Sequence, residues 1–552
     1  MNLTYEIAYK IDGKSYRTKA PNNKHFSLDV KDKNGVLKVV LNPKAKIEFS
    51  YFSLIAPYTY SSDDRIFVNG FQSWTDSLEY FTDGQMSELP KIHEFLLSKP
   101  PLWNLGLNRS GDGEFWTYPR KKGLFYGWSY GYVRRGGNVD IFGSLSERTG
   151  YTAVIFNTNN NTVKINKELQ GVVFSEPTEM LSLAHISGEY DDAFDAYFDK
   201  MGIKCRESKR RTGYTTWYNY YGNITEQVVN RDLKSINELG IKFDCFQIDD
   251  GYQNAIGDWL ITDSNKFPSG MKALADDIHN SGMIAGLWLA PFAGVKKSKL
   301  FQEHSDWFIQ GRDGKPFCTG ANWGGFYSLD IYNPGARDYI KHVFDVVLND
   351  WGYDLVKLDF LYGAAVLPMY NKTRGEIMCD AMDLLRECCG DKLILGCGVP
   401  LMPAFGKVDY CRIGADIDLR WYDKKFTHRE DVSTPHAVCN TVFRRHLDGR
   451  AWKNDPDVFL LRDENINMDF ARRELLSKVN SVFGSLLFIS DNVSNYNEQQ
   501  KQALKDAFAD CEYEILSAEF TSKDILSIKY KQDGNLKSLC FNIRNGNDYT
   551  PY

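Results

Sequence analysis

Apolar and polar residues alternate from 35 to 41, from 46 to 52 and from 151 to 156. That period of two predicts half-buried β-strands. Breaks such as Asp12-Gly13, Asn34-Gly35 and Gly136-Gly137-Asn138 separate runs of this kind up to about residue 185. Many short strands at such spacing predict a large β-sandwich. The pattern changes after Gly188: Ala193, Phe194, Tyr197 and Phe198 fall on one helical face within 190–201. A strand–helix alternation follows. Strands are predicted at 213–217, 245–249, 284–290, 355–359, 393–397, 410–416 and 486–490, with one more near 458–461. Helices are predicted at 225–239, 271–281, 336–350 and 374–389.

About eight βα units in roughly 280 residues is the size of a (β/α)8 TIM barrel. An open doubly wound sheet would want a Gly-rich phosphate loop after its first strand. Tyr214-Thr215-Thr216-Trp217-Tyr218 is not one. A helix near 497–508 and strands at 525–530 and 539–543 predict a small C-terminal antiparallel β domain. The expected architecture is therefore multidomain: an N-terminal β-sandwich domain (1–185), a central (β/α)8 barrel (186–490) and a C-terminal β domain (491–552).

The chemistry gathers on the strand at 355–359. Side chains alternate across a strand, so Leu355, Lys357 and Asp359 share one face. A Lys and an Asp in an otherwise apolar strand form a structural ion pair or face an active site. In such a barrel the active site lies at the C-terminal strand ends. Those ends carry Trp217, the Asp249-Asp250 pair, Trp288, Lys357 with Asp359, Cys397 between two glycines, and Arg412 with Asp416. Carboxylates, cations and Trp at six ends converge on a pocket. Two carboxylates for acid–base work, with others for hydroxyls, is a glycosidase layout. Asp249, Asp250 and Asp359 could instead hold Mg2+ or Mn2+, but a lysine beside Asp359 competes with a metal. No cofactor and no metal are expected.

Composition narrows the partners. The net charge is −6 with no long basic run, which gives no footprint for nucleic acid or an anionic membrane. The first ten residues lack a basic-then-apolar leader pattern, and no apolar run has transmembrane length. The 11 cysteines are odd in number, with no C-x-x-C pair. They read as reduced thiols, and the expected location is cytoplasmic. Self-association into a homo-oligomer is compatible with all of this.

With these residues in order, the chain resembles the α-galactosidases (melibiases) of glycoside hydrolase family 36. The resemblance rests on Asn69-Gly70-Phe71-Gln72-Ser73-Trp74, Trp217-Tyr218, Gln247-Ile248-Asp249-Asp250-Gly251-Tyr252, Gly257-Asp258-Trp259, Trp288 with Ala290-Pro291-Phe292, Lys357-Leu358-Asp359, Gly396-Cys397-Gly398, Arg412-Ile413-Gly414-Ala415-Asp416 and Asn454-Asp455-Pro456-Asp457. It implies a retaining mechanism on α-linked galactose, and with the cytoplasmic expectation the reading is an exo-acting hydrolase of short oligosaccharides such as melibiose or raffinose. It implies Asp359 as nucleophile and Asp416 as acid/base. Lys357 would keep Asp359 anionic, and Asp416 would need the less cationic setting of the two. Asp249 and Asp250 would hold O4 and O6 of the sugar. Trp217 and Trp288 would line the pocket, and Trp74 would close it. Arg412 would bind substrate or Asp416. Cys397 would face the 2-position, where small neighbours leave α-N-acetylgalactosaminide open. Phe360-Leu361-Tyr362 follows the nucleophile strand where longer members carry Met-Asn. The alternatives are another α-glycoside, including an α-glucoside, and a catalytically silent sugar-binding barrel.

Overall fold

The structure is a computed structural model that describes residues 3–86, 112, 121–421, 429 and 432–549. Residues 87–111 and 113–120 of the expected N-terminal domain, and 550–552 of the expected C-terminal one, lie outside the described residues.

Among the described residues, two antiparallel sheets of seven strands each form the N-terminal part. They share one core. Ile7, Phe49, Phe52, Val154 and Phe156 enter it from one sheet, and Leu28, Val39, Leu41, Ile66 and Leu183 from the other. The strand Val36–Pro43 shows why: Leu37, Val39 and Leu41 are buried while Lys38 between them is exposed. The helix Tyr190–Met201 then leads to the barrel, with Ala193, Phe194, Tyr197 and Phe198 buried and Gly202 closing it in the left-handed region at φ 68°.

Eight parallel strands follow: β1 (Arg211–Thr215), β2 (Cys245–Ile248), β3 (Ile284–Leu289), β4 (Leu355–Leu358), β5 (Leu393–Gly396), β6 (Tyr410–Arg412), β7 (Lys453–Asp455) and β8 (Leu486–Ile489). β8 pairs with β1, and each strand from β1 to β6 pairs with the next. The seam between β7 and β8 is thin. It is held by Ser485 N donating to Asn454 O at 2.8 Å and by one bridge between Val458 and Phe488. The barrel is therefore nearly closed.

The seventh strand is not where the apolar run 458–461 placed it. It lies a few residues earlier, because Asn454 and Asp455 take the ladder beside β6. Pro456 cannot donate, and Asp457 turns left-handed at φ 78°, so the run that follows is buried without forming a strand. The outer helices carry their own starts. Thr225, Asn333 and Thr373 each accept a backbone N–H at a helix N-terminus. After β8, Asn497 and Gln500 form a reciprocal capping box on the helix Glu498–Phe508. A three-stranded antiparallel sheet, Tyr513–Ser522, Ile525–Gln532 and Asn535–Asn542, ends the described chain. No helix among the described residues is long and apolar enough to cross a membrane.

Candidate active site

A pocket of about 290 Å3 opens at the C-terminal ends of the barrel strands. Eight residues singled out in the sequence line it together: Trp74, Trp217, Asp249, Asp250, Trp288, Lys357, Asp359 and Asp416. Two others do not line it. Cys397 and Arg412 are buried behind its wall, where they touch lining residues from the rear.

Lys357 and Asp359 leave β4 on the same side, as alternation requires. Their pairing differs from the expectation. The Lys357 Nζ lies 2.8 Å from Asp249 Oδ2, at the end of β2 two strands away, and the ion pair forms there instead of with Asp359. Burial opposes the charge on Lys357, and Asp249, Cys397 and Asp359 together outweigh it, so the ammonium is held protonated. Asp249 Oδ2 also takes Gln247 Nε2 at 3.0 Å, and its Oδ1 takes the backbone N–H of Asp250 at 2.9 Å. A cation already occupies the position a divalent metal would need.

Asp250 is more open in its bonding. Gln253 Nε2 donates to its Oδ1 at 2.5 Å and Trp323 Nε1 to its Oδ2 at 3.2 Å. Burial, then the nearby Asp249, push Asp250 above the ordinary carboxylate range. Asp359 takes Trp288 Nε1 at 3.1 Å on Oδ2 and the backbone N–H of Phe360 at 2.8 Å on Oδ1. Burial raises Asp359 too. Lys357 and the bonds from Trp288 and Cys397 oppose that without cancelling it.

Asp416 stands at the other side of the pocket, beyond the end of β6. Its side chain is 34% exposed, against 2% for the Arg412 side chain beneath it. Arg412 Nη2 donates to Asp416 Oδ1 at 2.9 Å, and Nη1 lies 3.2 Å from Asp457 Oδ1. The expected less cationic setting for Asp416 is thus not what the structure shows. A guanidinium sits directly on it, and the choice left open for Arg412 falls on the carboxylate.

Trp74 reaches the barrel from the loop after the strand Arg65–Val68. Its Nε1 donates to Cys397 Sγ at 3.4 Å and its ring centroid lies 5.0 Å from that of Phe360. The loop is pinned from below by Arg444, a fully buried guanidinium that sequence reasoning missed. Arg444 donates to Asn69 Oδ1 at 3.1 Å, and its Nη1 to the Ser73 and Ile413 carbonyls at 2.7 and 2.9 Å. It ties the sandwich loop to the end of β6. Gly398, at φ 55°, gives Trp74 room: a Cβ there would stand 2.8 Å from the indole.

Sequence reasoning also missed Trp323, Asn322, Phe360 and Tyr362 as lining residues. They sit in loops with no periodicity to mark them. Trp323 and Phe360 adopt φ of 55° and 54°, and Asp457 and Tyr221 nearby also have positive φ. Such backbone costs about 1–3 kcal/mol each and collects where the surroundings impose a geometry. The conformation has no trace in the one-dimensional pattern.

Residues 180–373 match the melibiase family model. An α-galactosidase from Escherichia coli is 31% identical over 165 residues, which is 28% of this chain and 22% of that protein. Over these stretches the chain is similar to the melibiase family and to α-galactosidases. The matched range holds Asp249, Asp250, Trp288, Lys357 and Asp359 and stops before Arg412 and Asp416. An A type blood α-D-galactosamine galactosaminidase from Flavonifractor plautii is 32% identical over 148 residues, 25% of this chain and 14% of that one. The aligned stretches thus span well under a third of these relatives' lengths. An α-galactosidase from Thermus thermophilus, solved with p-nitrophenyl α-D-galactopyranoside, superposes with a TM-score of 0.71 at 23% identity, over 96% of this chain and 98% of that one. The family 36 enzyme AgaA from Geobacillus stearothermophilus gives 0.59 at 13% identity, over 95% and 80%. These likenesses show a shared fold over 95–96% of this chain.

Proposed function

We propose that the chain is a retaining exo-α-galactosidase acting on short oligosaccharides such as melibiose and raffinose. The observation that carries this reading is the convergence of Asp359, Asp416 and the Asp249–Asp250 pair on one pocket. Asp359 attacks the anomeric carbon and the glycosidic oxygen leaves with the proton of Asp416. The product of this step is a glycosyl ester on Asp359. Water, losing its proton to Asp416, then attacks the same carbon and expels the Asp359 carboxylate. Galactose is released and both carboxyl groups return to their starting states. Such pairs stand about 5 Å apart across the bond. Asp250, with one donor on each oxygen, keeps lone pairs for sugar hydroxyls, and an epimer that misses them leaves a buried acceptor unpaired. Trp74, Trp217 and Trp288 supply flat apolar walls. A reduced cytoplasmic setting fits the cysteines, since no disulfide joins the described residues.

The similarity to the galactosaminidase supports a second reading, in which the same catalytic pair serves an α-linked 2-amino or 2-acetamido galactoside. Hydrolysis of p-nitrophenyl α-galactoside, α-galactosaminide, α-N-acetylgalactosaminide and α-glucoside, with the β-galactoside as control, separates these. Turnover of the α-galactoside alone supports the first reading. Turnover of another α-sugar keeps the catalytic pair and replaces the substrate. Folded protein without turnover on any of them sinks both.

A further inference from the structure

We propose that Asp457 is a positioning residue of the acid/base: it shares the Arg412 guanidinium with Asp416 and so sets how strongly that cation holds the Asp416 anion. This rests on the reading of Asp416 as acid/base given above.

A general acid at neutral pH must hold its proton, and a guanidinium at 2.9 Å pulls the other way. Arg412 is not committed to Asp416 alone. Its other amino group lies 3.2 Å from Asp457 Oδ1, so one cation serves two carboxylates. Asp457 is 4% exposed and does not line the pocket, so it has no path to substrate. Its second oxygen takes the Tyr218 hydroxyl and the backbone N–H of Ile417 at 2.9 Å, the residue next to Asp416. Its own N–H donates to Asp455 Oδ1 at 2.8 Å. These contacts keep it at φ 78°, a conformation that only such over-determination retains in a non-glycine residue.

The charged and titratable groups around this pair come from five strand ends. Asp457 faces Arg412 and Asp416 from the end of β6, Asp455 from its own strand, and Tyr218 from the loop after β1. Asp416 faces Arg412, Asp359 from β4, Cys397 from β5, Asp455 from β7, and Tyr218 with Tyr221. Burial pushes Asp457 upward, Arg412 opposes this, and Asp416 adds to the rise. Two acids around one buried cation titrate as a pair. Removing the charge of Asp457 leaves the whole guanidinium field on Asp416 and so favours its anion.

The test is the pH profile of kcat/KM for p-nitrophenyl α-galactoside and for melibiose in the native protein, Asp457→Asn and Tyr218→Phe, with thermal unfolding to confirm folding. Asp457→Asn should move the basic limb down by about one pH unit. Melibiose turnover at pH 7 should then fall about 10-fold, and the nitrophenyl substrate, whose leaving group needs less protonation, should fall less. Tyr218→Phe removes a donor that favours the Asp457 anion, so it should move the limb the same way by less. If Asp457→Asn does not fold, Tyr218→Phe decides by the same limb. An unmoved limb with equal loss on both substrates overturns the proposal. A readout without turnover is 13C NMR titration of the Asp416 carboxyl, assigned with Asp416→Asn. A lower Asp416 pKa in Asp457→Asn supports the coupling even if no α-galactoside is hydrolysed, in which case the substrate reading fails alone. An unchanged titration overturns the coupling whatever the activity.

Discussion

The two sides of the pocket hold the same kind of parts in opposite arrangements. On the β2–β4 side, Lys357 lies 2.8 Å from a buried Asp249 that has further donors of its own. On the β6–β7 side, Arg412 is divided between Asp416, which is one-third exposed, and the buried Asp457. The first side is a fixed charge pattern in which every group has its partner. The second is a cation with two competing anions, one of them open to the pocket. A saturated pair suits recognition, because it costs nothing to reorganise when the sugar arrives. A shared pair suits proton transfer, because its balance changes with one proton. Carboxylate identity therefore does not assign a role here; the allotment of the cation does.

The largest way to break this comparison is Asp359→Asn. It should abolish turnover, by about 10^4-fold or more in kcat, while binding of galactose measured by calorimetry persists. Substantial residual turnover would remove Asp359 from the role of nucleophile. Next is Asp416→Ala. The loss should be about 10^2–10^4-fold on melibiose, much smaller on p-nitrophenyl α-galactoside, with partial rescue of the latter by azide. Equal loss on both substrates would count against the acid/base role. Third is Asp250→Asn. Losing a charged acceptor should cost about 1.5–3 kcal/mol of galactoside recognition, read in kcat/KM. Because burial raises the Asp250 pKa, the folded state disfavours its charge, and that penalty is present above the ordinary carboxylate pKa. The neutral amide should therefore leave the unfolding midpoint at pH 7 unchanged or higher. A fall of many degrees would make the residue structural.

The smallest effect sharpens the contrast. Trp288→Phe removes the 3.1 Å donor that favours the Asp359 anion. Asp359 must be ionised to attack, and burial already raises its pKa. The acidic limb of kcat/KM should move upward by up to about one pH unit, with the basic limb in place. Movement of the basic limb instead would mean that the two sides are not separable.

The chain wrote its periodicities plainly, and those were legible. Leu37, Val39 and Leu41 announced a sandwich strand, Phe194 and Phe198 a helix, and Lys357 with Asp359 an inward-facing strand end. The run 458–461 misled because an apolar stretch reports burial, and burial does not require a strand. Trp323 and Arg444 left no one-dimensional mark, since each acts across a sequence separation of 73 or more, on Asp250 and on Asn69.

By itself the sequence determined that the carboxylates and the lysine of the strand ends reach the pocket, while Trp323, Asn322, Phe360 and Tyr362 left no such mark. Strand alternation and the barrel's polarity are local rules, and they put Asp249, Lys357, Asp359 and Asp416 at one end of the molecule. Only the tertiary structure decided whom each charge faces. Lys357 lies two residues from Asp359 and pairs across the sheet with Asp249, and Arg412 reaches both Asp416 and Asp457. Side-chain reach inside the barrel spans strands one or two places apart as easily as neighbouring residues, so pairing follows three-dimensional distance, which the order of residues does not contain.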